Sequence, residues 1–232
     1  MSYNIAIDGP AGAGKSTIAK ALAKKMNLIY VDTGAMYRAM ALYMLREKVN
    51  VDDVQAVSEK CKDADITIRY EDGVQVVYLN GENVNAFLRT EEVGDMASKT
   101  SPQPVIRKKL VELQQKLAAE SNCVMDGRDI GTCVLPNADV KIYMTASSRV
   151  RAKRRFEELT AKGEVCDFEK IKADIEERDY RDMNREMSPL KQAEDAILLD
   201  TSDMTIEEVV AAMIRICDEK KAGGEKSGGE EH

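Results

Sequence analysis

Residues 9–17 read Gly-Pro-Ala-Gly-Ala-Gly-Lys-Ser-Thr. Gly9, Gly14, Lys15 and Ser16 reproduce the spacing G-x-x-x-x-G-K-[ST], with Pro10, Ala11, Gly12 and Ala13 inside the loop and Thr17 just after it. Glycines let backbone amides crowd an anion without Cβ clashes. Those amides and the N-terminus of a following helix make a nest for phosphate. In such a loop the Lys15 ammonium bridges the terminal phosphates of a nucleoside triphosphate, and the Ser16 hydroxyl faces Mg²⁺. The alternative is a glycine-rich strand-to-helix turn without a ligand. The flanks argue against it: an apolar run precedes the loop and a helical pattern follows, which is the context that confirms the motif.

Three further stretches carry chemistry. "VDTGAMYR" (Val31–Arg38) contains Asp32 and Thr33, which suit a helix cap, and Arg38 one turn into the helix. Arg38 on an otherwise apolar segment can fork onto a phosphate or form a surface ion pair. "CVMDGRDIGT" (Cys123–Thr132) ends an apolar strand in Asp126, the place from which a second acid steadies the water shell of Mg²⁺ in such folds. Arg128 and Asp129 follow beyond a glycine, where ligands of open parallel sheets bind. The third is a pair of arginine-rich helices. "SSRVRAKRRFEEL" holds Arg151, Arg154 and Arg155 within two turns. "EERDYRDMNRE" places Arg178, Asp182 and Arg185 at i, i+4 and i+7, predicting one helical face. A charged face is usually only solvated; two such helices in an acidic chain suit a clamp over phosphates. Asp182 can hold a ribose hydroxyl or neutralise the arginines around it.

The whole chain limits what this chemistry can be. Its 232 residues include one histidine, His232, the last residue. That argues against catalytic triads, His-ligated metals and imidazole bases. The formal charge is −7, so no nucleic-acid partner is expected, and polyanions must meet local arginine clusters. No apolar run nears the ~20 residues that span a bilayer, and the N-terminus enters a strand at once, so neither membrane association nor a signal peptide is expected. The five cysteines form no C-x-x-C pair, which predicts a reduced, cytoplasmic protein without structural zinc. A self-contained pocket without a heptad seam predicts a monomer.

Five short apolar runs must position these residues: Ile5–Asp8, Leu28–Val31, Cys123–Asp126, Val140–Met144 and Ile197–Asp200. Their near-continuous apolar character predicts parallel strands covered on both faces. Helical periodicity over Lys15–Met26, Ala35–Arg46, Ile106–Leu117 and Thr205–Cys217 supplies the cover, giving an α/β fold. One crossover is far too long: roughly ninety residues separate Val31 from Cys123, against about 30 for a βαβ unit. Inside it, "ADITIRYEDGVQVVYLNGENV" alternates apolar residues between turn signals at Asp72-Gly73 and Asn80-Gly81, predicting an inserted antiparallel sheet of two or three strands with helices on either side. Residues 221–232, rich in Gly, Glu and Lys, are expected to be a disordered tail.

Taken together, "GPAGAGKS", "DTGAMYR", "DGRDIGT", "ERDYRDMNR" and "MSPL" resemble the bacterial cytidylate kinases, in order, over about residues 3–217. The resemblance implies a P-loop NTPase-type parallel five-stranded sheet of order 2-3-1-4-5 flanked by helices, with an inserted monophosphate-binding domain containing the small sheet, and a short lid. The implied division is a core of 1–32, 101–148 and 186–220, an insert of 33–100 and a lid of 149–185. The implied reaction is Mg²⁺-dependent transfer of the ATP γ-phosphoryl group to CMP or dCMP. By the same resemblance Lys15 and its loop are similar to the ATP cradle, and Ser16 and, through water, Asp126 serve the metal. Arg38, Arg128 and Arg185 correspond to ligands of the CMP phosphate, Arg178 and Asp182 to the pair on the sugar, and Ser98, Arg107 and Asp129 to readers of the cytosine edge. Thr33 stands where a serine can occur near the base, and Arg151 and Arg155 resemble lid arginines that, with Lys15, Arg128 and Arg185, act on the transferred group. Other small P-loop kinases, with AMP, UMP or shikimate as acceptor, and a P-loop binding module that turns over slowly, are the competing readings.

Overall fold

The computed structural model describes residues 2–227. The element order is β1 (Asn4–Asp8), α1 (Lys15–Met26), β2 (Ile29–Asp32), α2 (Thr33–Arg46), α3 (Val54–Asp63), β3 (Ile66–Glu71), β4 (Val74–Leu79), β5 (Glu82–Asn83), α4 (Glu91–Thr100), α5 (Pro104–Glu120), β6 (Cys123–Gly127), a π-turn (Ile130–Val134), β7 (Val140–Thr145), α6 (Ser148–Ala161), α7 (Phe168–Asn184), β8 (Ile197–Asp200) and α8 (Ile206–Ser227). All five apolar runs became strands of one parallel sheet, ordered β2-β6-β1-β7-β8. Counting only its own strands along the chain, this is the expected order 2-3-1-4-5. Strand β1 is central, so the loop leaving its carboxyl end emerges in the middle of the sheet edge where ligands bind.

The sheet is covered on both faces because its strands alternate. Ile5 and Ile7 pack with Leu22, Ile142, Met144 and Met213 on one face, and Ala6 with Met36, Met40, Ile106, Leu110 and Met125 on the other. Six of these methionines and isoleucines come from α2, α5, β6 and β7, so the helices that carry the site are bolted to the sheet by their apolar faces.

The long crossover contains the predicted small sheet, ordered β3-β4-β5 and antiparallel. Its two turns have positive φ at both central residues: Asp72 at 50° and Gly73 at 75°, then Asn80 at 48° and Gly81 at 84°. That is the handedness that matches the twist of a hairpin. The small sheet is tied back to the core: the Gln75 amide accepts from the Asp32 backbone N–H at 2.8 Å and donates to the Asp32 carbonyl at 3.2 Å, and the Tyr70 hydroxyl donates to the Tyr30 carbonyl at 3.1 Å.

Two expectations are corrected. Helix α8 continues through Ser227, so residues 221–227 are helical instead of disordered, an extension of the helix that seats Val209, Val210 and Met213 in the core; residues 228–232 of that expected tail lie outside the described residues. And α7 stops at Asn184: Arg185 has extended backbone at φ −67° and ψ 141°, and the Leu190 N–H returns to the Asp182 carbonyl at 2.8 Å. Arg185 therefore leaves the helical face shared by Arg178 and Asp182. Ser188, at φ 50°, lies in the turn that follows.

Gly9 shows how tightly the phosphate loop is seated. A Cβ there would lie 1.9 Å from the Met144 carbonyl oxygen, at a φ of +150°. That oxygen belongs to β7 and has nowhere to go. Gly9→Ala is expected to lower stability by about 3 kcal/mol or more, read as a fall in melting temperature; an unchanged melt would refute the packing described.

Candidate active site

A cavity of about 420 Å³ opens at the carboxyl edge of the parallel sheet. The phosphate loop enters it from below. Gly14 has left-handed backbone, at φ 88° and ψ 8°, and starts α1 without a side-chain cap. The amides of the first turn are thus left facing the cavity, as an anion nest requires. Ala11, Gly12, Gly14, Lys15, Ser16 and Thr17 line the cavity, whereas Gly9, Pro10 and Ala13 form the back of the loop. Lys15 is buried and donates to the Gly9 and Pro10 carbonyls at 2.7 and 2.8 Å. Burial, then repulsion from Arg128, pushes its ammonium down to about 7.

Across the cavity stand the acids of two strand ends. Asp126, at the end of β6, accepts from the Ser16 hydroxyl at 2.9 Å and the Tyr30 hydroxyl at 2.7 Å. Burial first, and the charge of Asp32 second, raise its pKa. A buried, crowded carboxylate beside a serine hydroxyl is a hard-oxygen site that a divalent cation relieves. Asp32 caps α2 by accepting from the Ala35 N–H at 2.9 Å, the cap expected from sequence, and pairs with Arg89 at 2.9 Å. The Thr33 hydroxyl donates to the Asp126 backbone carbonyl at 2.7 Å, which fixes β2 to β6 at the cavity wall.

The far wall is cationic. Arg38 from α2, Arg128 from the loop after β6, Arg178 from α7 and Arg185 from the turn beyond it all line the cavity. Burial lowers the pKa of Arg38, Arg178 and Arg185. Arg128 is next in the case of Arg178, so these guanidinium groups repel one another. Asp182 holds Arg128 at 2.9 Å and is lowered in pKa by Arg128 and Arg178 against the opposing effect of burial. The Nε of Arg178 and one terminal nitrogen of Arg185 are buried without a hydrogen-bond partner. Buried donors of this kind are costly unless something accepts from them. At one end of this wall Asp129 pairs with Arg107, and its other oxygen lies 3.7 Å from Arg185. Ser98 from α4 also lines the cavity.

Cations opposite a phosphate loop suit a second phosphate-bearing molecule, and the comparisons agree. The family model described as "Cytidylate kinase" matches residues 5–219. The chain belongs to the cytidylate kinase family. It is therefore a nucleoside monophosphate kinase, a phosphotransferase. Among its relatives, a cytidylate kinase of Caldicellulosiruptor saccharolyticus is 48% identical over 92% of this chain and 94% of its own length. One of Lactobacillus johnsonii is 49% identical over 94% of each, and one of Carboxydothermus hydrogenoformans 48% identical over 93% and 97%. The fold is also similar to a solved, uncharacterised protein from Eubacterium ventriosum, at a TM-score of 0.54 and 16% identity, covering 94% of this chain and 99% of that one.

Within this family frame, the residues expected to touch the monophosphate, sugar and base do converge: Thr33, Arg38, Ser98, Arg107, Arg128, Asp129, Arg178, Asp182 and Arg185 share one cavity. The two arginines read as lid residues do not. Arg151 is buried against Asp179 at 2.6 Å and donates to the carbonyls of Ala146 at 2.8 Å and Ala11 at 3.0 Å. It supports the phosphate loop from behind. Its neighbour Arg154 does the same, donating to Thr201 O at 2.7 Å and reaching Ala13 O at 3.5 Å. Arg155 pairs with Glu158 at 2.9 Å, half exposed, outside the cavity lining. Helical spacing brought these arginines to one segment, but α6 packs with that segment against the loop instead of over it.

Two residues of the cavity lining, Arg89 and Tyr37, and one outside that lining, Asp8, escaped the sequence. Arg89 precedes the α4 cap in "FLRTEE", with no periodicity to mark it. Tyr37 lies under the Arg107 guanidinium, 5.9 Å from ring centre to carbon, and reads in sequence as one more apolar helix position. Asp8 ends β1, and an acid closing an otherwise apolar central strand was the available signal.

Proposed function

We propose that this chain transfers the γ-phosphoryl group of ATP to CMP or dCMP, with Mg²⁺, giving ADP and CDP or dCDP. The observation that carries the proposal is the convergence of Arg38, Arg128, Arg178 and Arg185 on one cavity opposite the phosphate loop, with the Asp129–Arg107 pair at its end. In this reading Lys15 and the loop amides hold the ATP phosphates. Arg38, Arg128 and Arg185 hold the CMP phosphate, Arg178 and Asp182 the sugar, and Ser98, Arg107, Asp129 and Thr33 the base side. The Thr33 hydroxyl, already donated to a carbonyl, offers the base an acceptor.

Ser16, and Asp126 through water, would hold Mg²⁺, a coordination mode that needs few protein ligands when phosphates supply the rest. Among the described residues no group of three or more acidic, His or Cys side chains competes for that role. Held there, the ion would supply positive charge that offsets the charge of the ATP phosphates. The chain's own residues do the remainder. Arginines first offset the repulsion between two polyanions and then stabilise charge on the group in transit. The attacking atom is an oxygen of the CMP phosphate, already a nucleophile at neutral pH; it forms the new P–O bond as the bond to the β–γ bridging oxygen breaks and its electron pair leaves with ADP. No general base is required, consistent with a sequence whose one histidine is terminal.

Base choice follows from Asp129. Its carboxylate accepts from the cytosine amino group and repels the uracil carbonyl, while Arg107 donates to N3 and O2. The test is ADP release with Mg²⁺-ATP across CMP, dCMP, UMP, AMP and shikimate. CMP and dCMP are expected to give kcat/KM at least tenfold above UMP, with AMP and shikimate inert. Turnover of another acceptor in preference to CMP would overturn the proposal.

A further inference from the structure

Asp8 belongs to none of the contacts assigned above. It ends the central strand β1, next to Gly9, and is buried. Its side chain reaches across to the segment after β6. There Oδ1 accepts from the Ile130 N–H and Oδ2 from the Gly131 N–H, each at 2.7 Å. Two consecutive amides on the two oxygens of one carboxylate fix both the position and the tilt of that peptide. The peptide held is the one directly after Asp129. The clamp is closely packed: a Cβ at Gly131 would meet the Lys141 side chain at 3.2 Å and Asp8 Oδ2 at 3.4 Å. Asp129 itself sits at φ −148° and ψ 28°, outside the regular regions, as the residue that opens the π-turn without a side-chain cap. The turn itself closes on the Asp129 carbonyl, which accepts from the Cys133 and Val134 N–H groups at 2.9 and 3.2 Å; the fork from Asp8 ties that turn to the central strand.

We infer that Asp8 is a positioning residue for cytosine recognition: by clamping the Ile130 and Gly131 amides it sets the orientation of Asp129, and with it the Arg107 and Arg185 guanidinium groups that Asp129 holds. The inference rests on the base-reading role proposed for Asp129. It makes the strand that launches the ATP loop also the anchor of the loop that reads the acceptor base, so both substrate sites are referenced to one rigid strand.

Asp8→Asn tests it. An amide keeps one acceptor and turns its NH₂ group toward the second backbone N–H, so half of the clamp becomes a donor facing a donor. The expected result is a CMP KM about tenfold higher, discrimination between CMP and UMP reduced by a similar factor, and an ATP KM within twofold of the parent. Equal rises in both KM values, or an unmoved CMP/UMP ratio, would overturn the inference and make Asp8 a support of the fold or of the phosphate loop. Should the variant not fold, amide exchange in the parent protein decides. The Ile130 and Gly131 amides are expected to be protected before CMP is added; free exchange until CMP binds would overturn the inference. Asp129→Asn in the same assay separates the two levels. If it too leaves the CMP/UMP ratio unmoved, the base-reading proposal fails; if it shifts the ratio and Asp8→Asn does not, only the clamp fails.

Discussion

Replacing Lys15 with methionine is expected to lower turnover of CMP about 10³-fold or more while leaving the melting temperature at pH 7 equal to or above that of the parent. The first half follows from charge. Removing one preorganised cationic partner from transferring phosphates leaves developing charge uncompensated in a site that excludes water, where such partners contribute most. The second half follows from burial. Lys15 is 5% exposed, and its pKa falls from the ordinary 10.5 to about 7, through desolvation first and Arg128 second, against the pull of Asp126 and Asp8. A lysine whose pKa is depressed by folding binds fewer protons in the native state than in the unfolded one between those two values. Stability from this group therefore rises with pH from about 7 toward 10.5, and its penalty is full below 7. Methionine fills a similar volume without that penalty, though the Gly9 and Pro10 carbonyls lose their donor. Melts at pH 7 and pH 9.5 check the sign: the advantage of the variant should shrink at the higher pH. A variant that keeps its turnover, or that melts well below the parent at pH 7, would contradict the account.

The contrast between Lys15 and Arg151 explains what the sequence could and could not disclose. The phosphate loop was legible because its function is its backbone: glycine spacing, a preceding strand and a following helix define the nest with no distant partner. The five strands were legible because burial on both faces leaves continuous apolar runs, and the hairpins because Asp72-Gly73 and Asn80-Gly81 are local solutions to a turn. Arg151 and Arg155 were not. Their spacing says that they share a helix, but which side of it meets a phosphate depends on how α6 packs against α7 and the loop. The decisive partners, Asp179 and the Ala11 carbonyl, are 28 and 140 residues away along the chain. The Arg178–Asp182–Arg185 spacing failed more narrowly: α7 ends at Asn184 and Arg185 is already extended, before the breaker Pro189 is reached, so the helical count ran past the true end. Asp8 and Arg89 were hidden for the same reason as Arg151: each is defined by a partner far off in sequence. The motifs tie residues to the site; tertiary packing decides which of them face its cavity.

Asp129 is where that packing should be most exposed to test. Asp129→Ala is expected to reduce kcat/KM for CMP by 10² to 10³, with ATP KM changed by less than about threefold. Asp129 is buried with Arg107 on one oxygen and Arg185 near the other, and Arg107 is itself 5% exposed. Alanine removes the acceptor for the cytosine amino group, and a hydrogen bond to a buried charge is worth about 1.5–3 kcal/mol. It also strands two guanidinium groups without their counter-charge, which costs about 3–5 kcal/mol of stability when a buried pair is broken. A lower melting temperature is thus part of the prediction, and alanine alone cannot separate recognition from collapse of the wall. Asp129→Asn can. It keeps the volume and one acceptor, and it adds a donor that the uracil carbonyl can accept from. If the carboxylate rejects uracil by repulsion, the asparagine variant must lose CMP activity and gain UMP activity together, narrowing the ratio of their kcat/KM values about 100-fold. A general loosening of the wall would lower both in parallel and leave that ratio where it was. Steady-state kinetics on the two pyrimidine monophosphates, at saturating ATP, distinguish the outcomes, and the second would remove Asp129 from base recognition.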